Sequence, residues 1–293
     1  MIITRLQGGL GNQMFQYAAA RQLETDSYKN VFFDLNFLKK NHISSDTFTA
    51  RHFELSIFNN LRASYLSDDL YIQLFSYGFK NRIRRFLTNS RPDVIRQTAN
   101  RQTIHISRKK YVYMDGYFQS EVYFKNIRQD ILRDFTFPQL DSLNESLREK
   151  MSQEVSVSIH IRRGDYLKAS ISKEHNVLPL EYYKKAIEKL IGCHSDTNPL
   201  SFYIFSDDPL YIKENFGFLK PYNLIEHNTG ADSWKDMCLM QACKHHIVAN
   251  SSFSWWGAWL ADDEGLTFAP SKWNNSTTNI HDFIPESWSV IEI

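Results

Sequence analysis

The chain has 293 residues, with 34 basic against 33 acidic side chains, 42% hydrophobic residues and three cysteines. Such a length supports one large core or two ordinary ones, and a net charge near zero removes any global reason to bind nucleic acid or an acidic partner. Cys193, Cys238 and Cys243 are too few and too scattered for a disulfide framework, which fits a reducing compartment.

The opening MIITRLQGG shows no basic segment leading into an apolar run, and no stretch approaches the ~20 apolar residues of a membrane span, so a cytoplasmic protein is expected. With 21 Phe, 15 Tyr and 6 Trp to bury, disorder is excluded.

Residues 1–7 read as a strand, followed by GGLG and a helix from Asn12 to Leu23 on which Phe15, Ala19 and Leu23 share a face. Val31 to Leu35 reads as a second strand, giving a βαβ opening with a glycine turn. Periodicity is weak from 40 to 110. Within that stretch, residues 78–110 carry ten Lys or Arg against one acid, Asp93, with Phe79, Ile83 and Phe86 interleaved. Two readings stay open: a solvated helical face whose aromatics enter the core, which we prefer on the helical spacing, or a surface for a polyanion or anionic membrane lipid.

Residues 111–117 are strand-like and Ser120 to Phe135 reads as a helix. Strand and helix then alternate: 155–161 with 180–191, 202–206 with 209–216, 224–226 with 232–243, and 247–249 with 254–261, before a last strand near 267–269. This alternation predicts an α/β protein of two lobes, 1–145 and 146–293, each a parallel sheet covered by helices.

Four motifs could carry chemistry. Gly8-Gly9-Leu10-Gly11-Asn12 lies between a strand and a helix, where glycine lets backbone approach a ligand and the helix start favours an anion; Asp34 sits where a dinucleotide fold places its ribose-binding acid. Met14 replaces the third fingerprint glycine, and a plain tight turn explains the motif equally well. His160-Ile161-Arg162-Arg163-Gly164-Asp165 follows a strand, where paired arginines call for carboxylates or phosphates. One arginine is expected to pair with Asp165 and the other to face ligand. Asp207 and Asp208 end another strand, Asp208 read chiefly as a helix cap. Asn250-Ser251-Ser252-Phe253-Ser254 opens a Trp-rich helix whose start would cradle an anion through Ser252 and Ser254. No zinc spacing is present. A basic loop, an acidic loop and a hydroxyl-lined helix start together suit a nucleoside diphosphate.

GGLGNQMFQYA at 8–18, DGYFQSEVYF at 115–124, HIRRGDY at 160–166, FSDD at 205–208 and HHIVANSSFSWWGAWL at 245–260 resemble glycosyltransferase family 11, the α-1,2-fucosyltransferases that move L-fucose from GDP-fucose to a galactoside 2-hydroxyl. The resemblance implies a GT-B-like fold of two Rossmann-like lobes, with the donor mainly in the C-terminal lobe and the acceptor on the N-terminal side. It further implies inversion at the anomeric carbon, no metal, and a place in oligosaccharide or surface-polysaccharide synthesis. Animal members carry a membrane anchor; with none visible here, a bacterial-type cytoplasmic member is expected.

Carried onto this chain, the resemblance implies Arg162 on the β-phosphate and Arg163 orienting the loop through Asp165. Asp207 would meet ribose or guanine, while Asn250, Ser252, Phe253 and Ser254 would flank pyrophosphate or base. From the first lobe, Gly9, Gly11 and Asn12 would reach the donor. His160 and Asp115 are the candidates for a base, although a loose transition state needs none early. Two other readings are carried forward: a nicotinamide-dependent oxidoreductase using Gly9, Gly11 and Asp34, and a non-catalytic carbohydrate-binding protein. The acceptor and the oligomeric state are not legible.

Overall fold

A computed structural model describes residues 1–45, 48–97, 103–105, 108–167, 176–194, 198–261 and 264–293. The chain divides into two compact units, one of Met1–Ser44 with Ala50–Pro138 and one of Ser45–Thr49 with Gln139–Ile293.

The first unit runs β1 (Ile2–Arg5), α1 (Leu10–Ser27), β2 (Val31–Asp34), α2 (Asn36–Lys40), β3 (Ala63–Tyr65), α3 (Asp68–Phe75), α4 (Phe79–Leu87), β4 (Asp93–Arg96), β5 (Val112–Asp115) and α5 (Arg128–Asp134). Its five strands form a parallel sheet in the order β3-β2-β1-β5-β4. α1 is buried on nearly every side, so the narrow face read from Phe15, Ala19 and Leu23 understates it. Its polar residues are satisfied internally: Gln16 exchanges hydrogen bonds with the backbone of Gln7 at 3.0 and 3.1 Å, and Tyr17 and Arg21 both donate to the buried Asp134. The helix expected from Ser120 to Phe135 breaks into two short 3₁₀ turns before α5. Phe124 sits between them at φ −149°, with its ring 6.0 Å from that of Phe15.

The second unit runs α6 (Ser142–Gln153), β6 (Val155–Ile161), α7 (Leu180–Cys193), β7 (Leu200–Ser206), α8 (Pro209–Asn215), β8 (Asn223–Ile225), α9 (Trp234–Gln241), β9 (His245–Ile247), α10 (Ser252–Trp259), β10 (Thr267–Pro270) and β11 (Ser289–Ile291). All six strands are parallel, ordered β11-β10-β9-β6-β7-β8. The last of them, β11, lies beyond the strand near 267–269 with which the sequence pattern ended.

β6, in the middle of this sheet, is two-faced. Val157, Ile159 and Ile161 pack with Tyr182, Ala186 and Leu190 of α7, whereas the other face carries Ser156, Ser158 and His160. Those polar groups lie in the interior and need partners: the Ser156 hydroxyl donates to Met151 O at 2.7 Å, and Ser158 Oγ meets His246 Nδ1 at 2.8 Å. Trp255, Trp256 and Trp259 of α10 are core.

The expected α/β architecture of parallel sheets flanked by helices is therefore what the chain forms. In the second sheet the strand order reverses at one place, between β6 and β9, the chain stepping outward from β6 through β7 to β8 and then, on the other side, from β9 through β10 to β11. Open α/β sheets bind ligands at such points, beyond the strand ends.

Candidate active site

The loop leaving β6 meets the loop leaving β7. Arg162 Nη1 lies 2.9 Å from Asp207 Oδ2, and Asp207 Oδ1 accepts the backbone N–H of Arg163 at 2.9 Å. A Cβ on Gly164 would sit 2.7 Å from Asp207 Oδ2, so only glycine lets the loop lie this close to the carboxylate. Arg163 Nε donates to Asp208 Oδ2 at 3.0 Å, and its guanidinium stacks 3.6 Å from the Tyr211 ring centroid. Asp208 also caps α8, its Oδ1 accepting from Tyr211 N at 3.1 Å, as expected of it.

Among the described side chains, the carboxylate that orients Arg163 is Asp208, and Asp207, expected on ribose or base, has each oxygen engaged by the arginine loop. The side chain of Asp165 lies outside the described structure; its backbone opens a short 3₁₀ turn, with Leu167 N donating to Arg163 O. Each arginine is paired with an acid and partly exposed, 25% for Arg162 and 19% for Arg163, and Arg163 has the closer ring contact.

Tyr166 closes the crevice on the other side. Its hydroxyl donates to Asn250 O at 2.9 Å, joining the loop after β6 to the loop after β9, and its ring lies 5.9 Å from the Arg162 guanidinium carbon. Asn250 itself is buried, its amide donating to Asn176 O and Trp273 O at 3.0 and 3.2 Å. That side chain fixes loops rather than presenting a donor to solvent.

At the start of α10, Ser251 is the cap and accepts from Phe253 N at 3.3 Å. The sequence expectation for Ser254 does not hold: it is buried, and its hydroxyl donates back to Ser251 O and Ala249 O. Ser252 and Phe253 remain partly exposed at the helix start, where first-turn N–H groups lack partners within the helix. His160, on the same side of β6 as Arg162 by strand alternation, is buried with its ring 5.8 Å from that of Phe253. Burial first, and then the Arg162 charge, push its pKa down to about 3. A neutral imidazole with so little affinity for a proton is a poor general base.

The glycine turn of the first unit is built differently from the expectation. Gly8 has φ +77°, and a Cβ there would fall 2.4 Å from Asn12 Nδ2, so glycine is required. The start of α1 is already met by a carboxylate: Leu10 N donates to Glu54 Oε2 at 2.9 Å, and Gly9 packs beside Arg51 and Glu54. Burial raises the Glu54 pKa. Gln13 ties this segment down by donating to Gly8 O and His52 O and accepting from Glu54 N. Gly11 is buried within α1, and Asn12 Oδ1 accepts from Gln119 Nε2 at 2.6 Å.

Asp34 is buried and spends its oxygens on Asn36 N, Asn36 Nδ2 and the Tyr113 hydroxyl, which leaves no group for a ribose and removes the support for a nicotinamide site. Asp115, the other candidate for a base, has both oxygens in ion pairs, with Arg5 at 2.7 Å and Arg96 at 3.3 Å.

Sequence reasoning missed Tyr166, Tyr211, Arg51 and Glu54. Tyr166 ends the HIRRGDY run and Tyr211 lies three residues after the Asp208 cap, so both had local signals. Glu54 sits 44 residues from the helix it caps, in a stretch without periodicity.

The profile of Glycosyl transferase family 11 matches residues 1–292. An Escherichia coli α-1,2-colitosyltransferase is 33% identical, covering 100% of this chain and 99% of its own. The Escherichia coli O-antigen biosynthesis glycosyltransferase WbnK is also 33% identical, over 92% of this chain and 93% of its own. Human galactoside α-(1,2)-fucosyltransferase 1 is 26% identical over 55% of this chain and 46% of its own. Among solved structures, Bradyrhizobium fucosyltransferase NodZ aligns with TM-score 0.51 at 15% identity, covering 89% of this chain and 93% of its own. A mutant of Arabidopsis thaliana FUT1 in complex with GDP aligns with TM-score 0.51 at 11% identity, covering 98% and 75%. At such identity these two likenesses concern the fold, and they agree with two Rossmann-like lobes of the GT-B kind.

Proposed function

Because the chain belongs to glycosyltransferase family 11, we propose that it transfers L-fucose from GDP-β-L-fucose to the 2-hydroxyl of a terminal β-galactoside, inverting the anomeric centre without a metal. The product would be part of an oligosaccharide or surface polysaccharide. The observation that carries this reading is Arg162: a partly exposed guanidinium at the sheet's switch point, braced by Asp207 and bordered through Tyr166 by the loop that leads into α10.

In the reaction, the bond between the anomeric carbon and the β-phosphate oxygen breaks with its electron pair going to GDP, while the acceptor oxygen bonds to the opposite face of the sugar. Negative charge grows on the diphosphate. Arg162 and the start of α10, with Ser252, meet that charge without rearranging, because Asp207 already holds the arginine. Fixed cations and N–H dipoles of this kind lower the barrier by being oriented before the charge appears. His160 stays neutral and shapes the wall of the site against Phe253. The acceptor proton leaves late, to solvent, since an oxocarbenium-like transition state asks little of a base.

A second donor is favoured by one observation, the full-length relative named as a colitosyltransferase. Colitose is 3-deoxy-L-fucose, so the two donors differ by one hydroxyl. The test is to supply GDP-fucose or GDP-colitose with a panel of β-galactosides, in the presence of a chelator, and to follow GDP release and product linkage. Turnover with GDP-fucose that survives chelation supports the proposal, and turnover with GDP-colitose alone transfers it to the second donor. Absence of turnover with both, or strict dependence on added metal, overturns it.

A further inference from the structure

Helix α4 is mounted inside out. At 100° per residue, Phe79, Ile83, Phe86 and Leu87 fall on one arc of about 100°, and Lys80, Asn81, Arg82, Arg84 and Arg85 occupy the remainder. Such an arc ordinarily faces the core. Here Phe79, Phe86 and Leu87 are 77, 86 and 76% exposed, and Ile83 is exposed as well. The inward side is polar: Asn81 and Arg85 are half-buried, and Arg85 Nη1 donates to Gln73 O at 2.9 Å, pinning that face to the end of α3. The sequence expectation that Phe79, Ile83 and Phe86 enter the core is therefore overturned. Tyr77, just ahead of the helix, is also fully out.

We propose that α4 is a membrane-surface anchor that lays its apolar arc into an anionic lipid interface. Charge selects the occupant. Residues 78–92 contain five basic side chains and no acid, so two copies meeting through this face would set cations against cations, whereas anionic headgroups neutralise them while the Phe and Leu side chains reach the acyl boundary. A nucleic acid would satisfy the arginines and leave the apolar arc in water. The helix is about 13 Å long, far too short to span a bilayer, and no helix among the described residues is long and apolar enough to do so. It can only lie in the interface.

The test is flotation of the full chain with vesicles of phosphatidylcholine alone or doped with phosphatidylglycerol. Binding to the doped vesicles only is expected. The pair Phe79→Ser and Phe86→Ser should abolish it, and the pair Arg82→Gln and Arg84→Gln should weaken it roughly tenfold to thirtyfold. All four side chains are exposed, so melting temperatures should not move; as an independent readout, tryptophan fluorescence of Phe79→Trp should respond differently from wild type, shifting to shorter wavelength on doped vesicles. Absence of binding, or binding indifferent to either pair, overturns the proposal. So does a dimer in sedimentation velocity that the serine pair dissolves while vesicles are ignored.

Discussion

Arg162 and Asp207 meet at 2.9 Å across the ends of two neighbouring strands, and the same carboxylate holds the backbone of Arg163 at 2.9 Å. One acid thus fixes both the side chain expected to face a diphosphate and the loop that bears it. A partly exposed pair of this kind adds little to stability; its consequence is orientation. The arginine is in place before ligand arrives, which is the condition under which a fixed charge lowers a barrier rather than merely binding.

Arg162→Ala should therefore lower kcat by about 10²- to 10³-fold, with the melting curve unchanged because the side chain is part-exposed and not packed in the core. Asp207→Asn keeps the shape but loosens the arginine, so a smaller loss of about tenfold is expected, together with weaker GDP binding by calorimetry. Full activity in Arg162→Ala would place the diphosphate elsewhere.

Asp208 predicts the opposite separation. It caps α8 and receives Arg163, so Asp208→Ala should cost about 1–2 kcal/mol of stability, a fall of roughly 2–8 °C in Tm for a domain of this size. Turnover at a temperature where the variant is folded should fall less than for Arg162→Ala, because Arg163 retains its stack on Tyr211. Calorimetric melting and initial rates on the same preparation check both halves.

What could be read in advance follows from the range of the forces involved. β6 was legible because its seven residues are followed at once by two arginines, a combination that is costly unless something anionic is near. The Asp208 cap was legible for the same reason of locality, being followed at once by Pro209. The partner of Arg163 was not, since Asp208 lies 45 residues away and Asp165 two; distance along the chain is a poor guide once parallel strands bring their ends together. β3, β4 and β11 have three or four residues each, too few to show a period. α4 is a different case. Its wheel was readable, but a wheel gives two faces without saying which meets the protein, and only the bond from Arg85 to the end of α3 decides that.

Two of the buried histidines, His160 and His246, contribute to the acid side of the stability curve. His160 and His246 are both pushed down to about 3, chiefly by burial, whereas 6.5 is the unperturbed value. The unfolded chain binds these protons and the folded one does not, so stability is full above 6.5 and is lost as pH falls towards 3. Each site contributes a slope of up to about 1.4 kcal/mol per pH unit in that window. His246→Asn should remove one such increment, whatever its constant packing cost. Urea unfolding at a series of pH values measures the slope; an unchanged slope would mean that His246 is protonated in the fold.

Asp236 works against them. It is half-buried on α9, where Asn228 Nδ2 donates to its Oδ1 at 2.8 Å, and desolvation raises its pKa from 3.8 to about 7 while that hydrogen bond pulls the other way. Here the folded state binds the proton, so the contribution to stability is present below 3.8 and is lost as pH rises through about 7. Asp236→Asn keeps an acceptor for Asn228 and removes the charge. Relative to wild type, the variant should gain stability progressively across that interval, by about 1–3 kcal/mol at neutral pH, and the gain should level off above it. Because a packing penalty from the new amide would not vary with pH, the diagnostic quantity is the change in the difference between the two proteins. A difference that stays flat from acid to neutral would show that the carboxylate ionises in the fold as readily as in the unfolded chain, through a water or counter-charge able to reach α9.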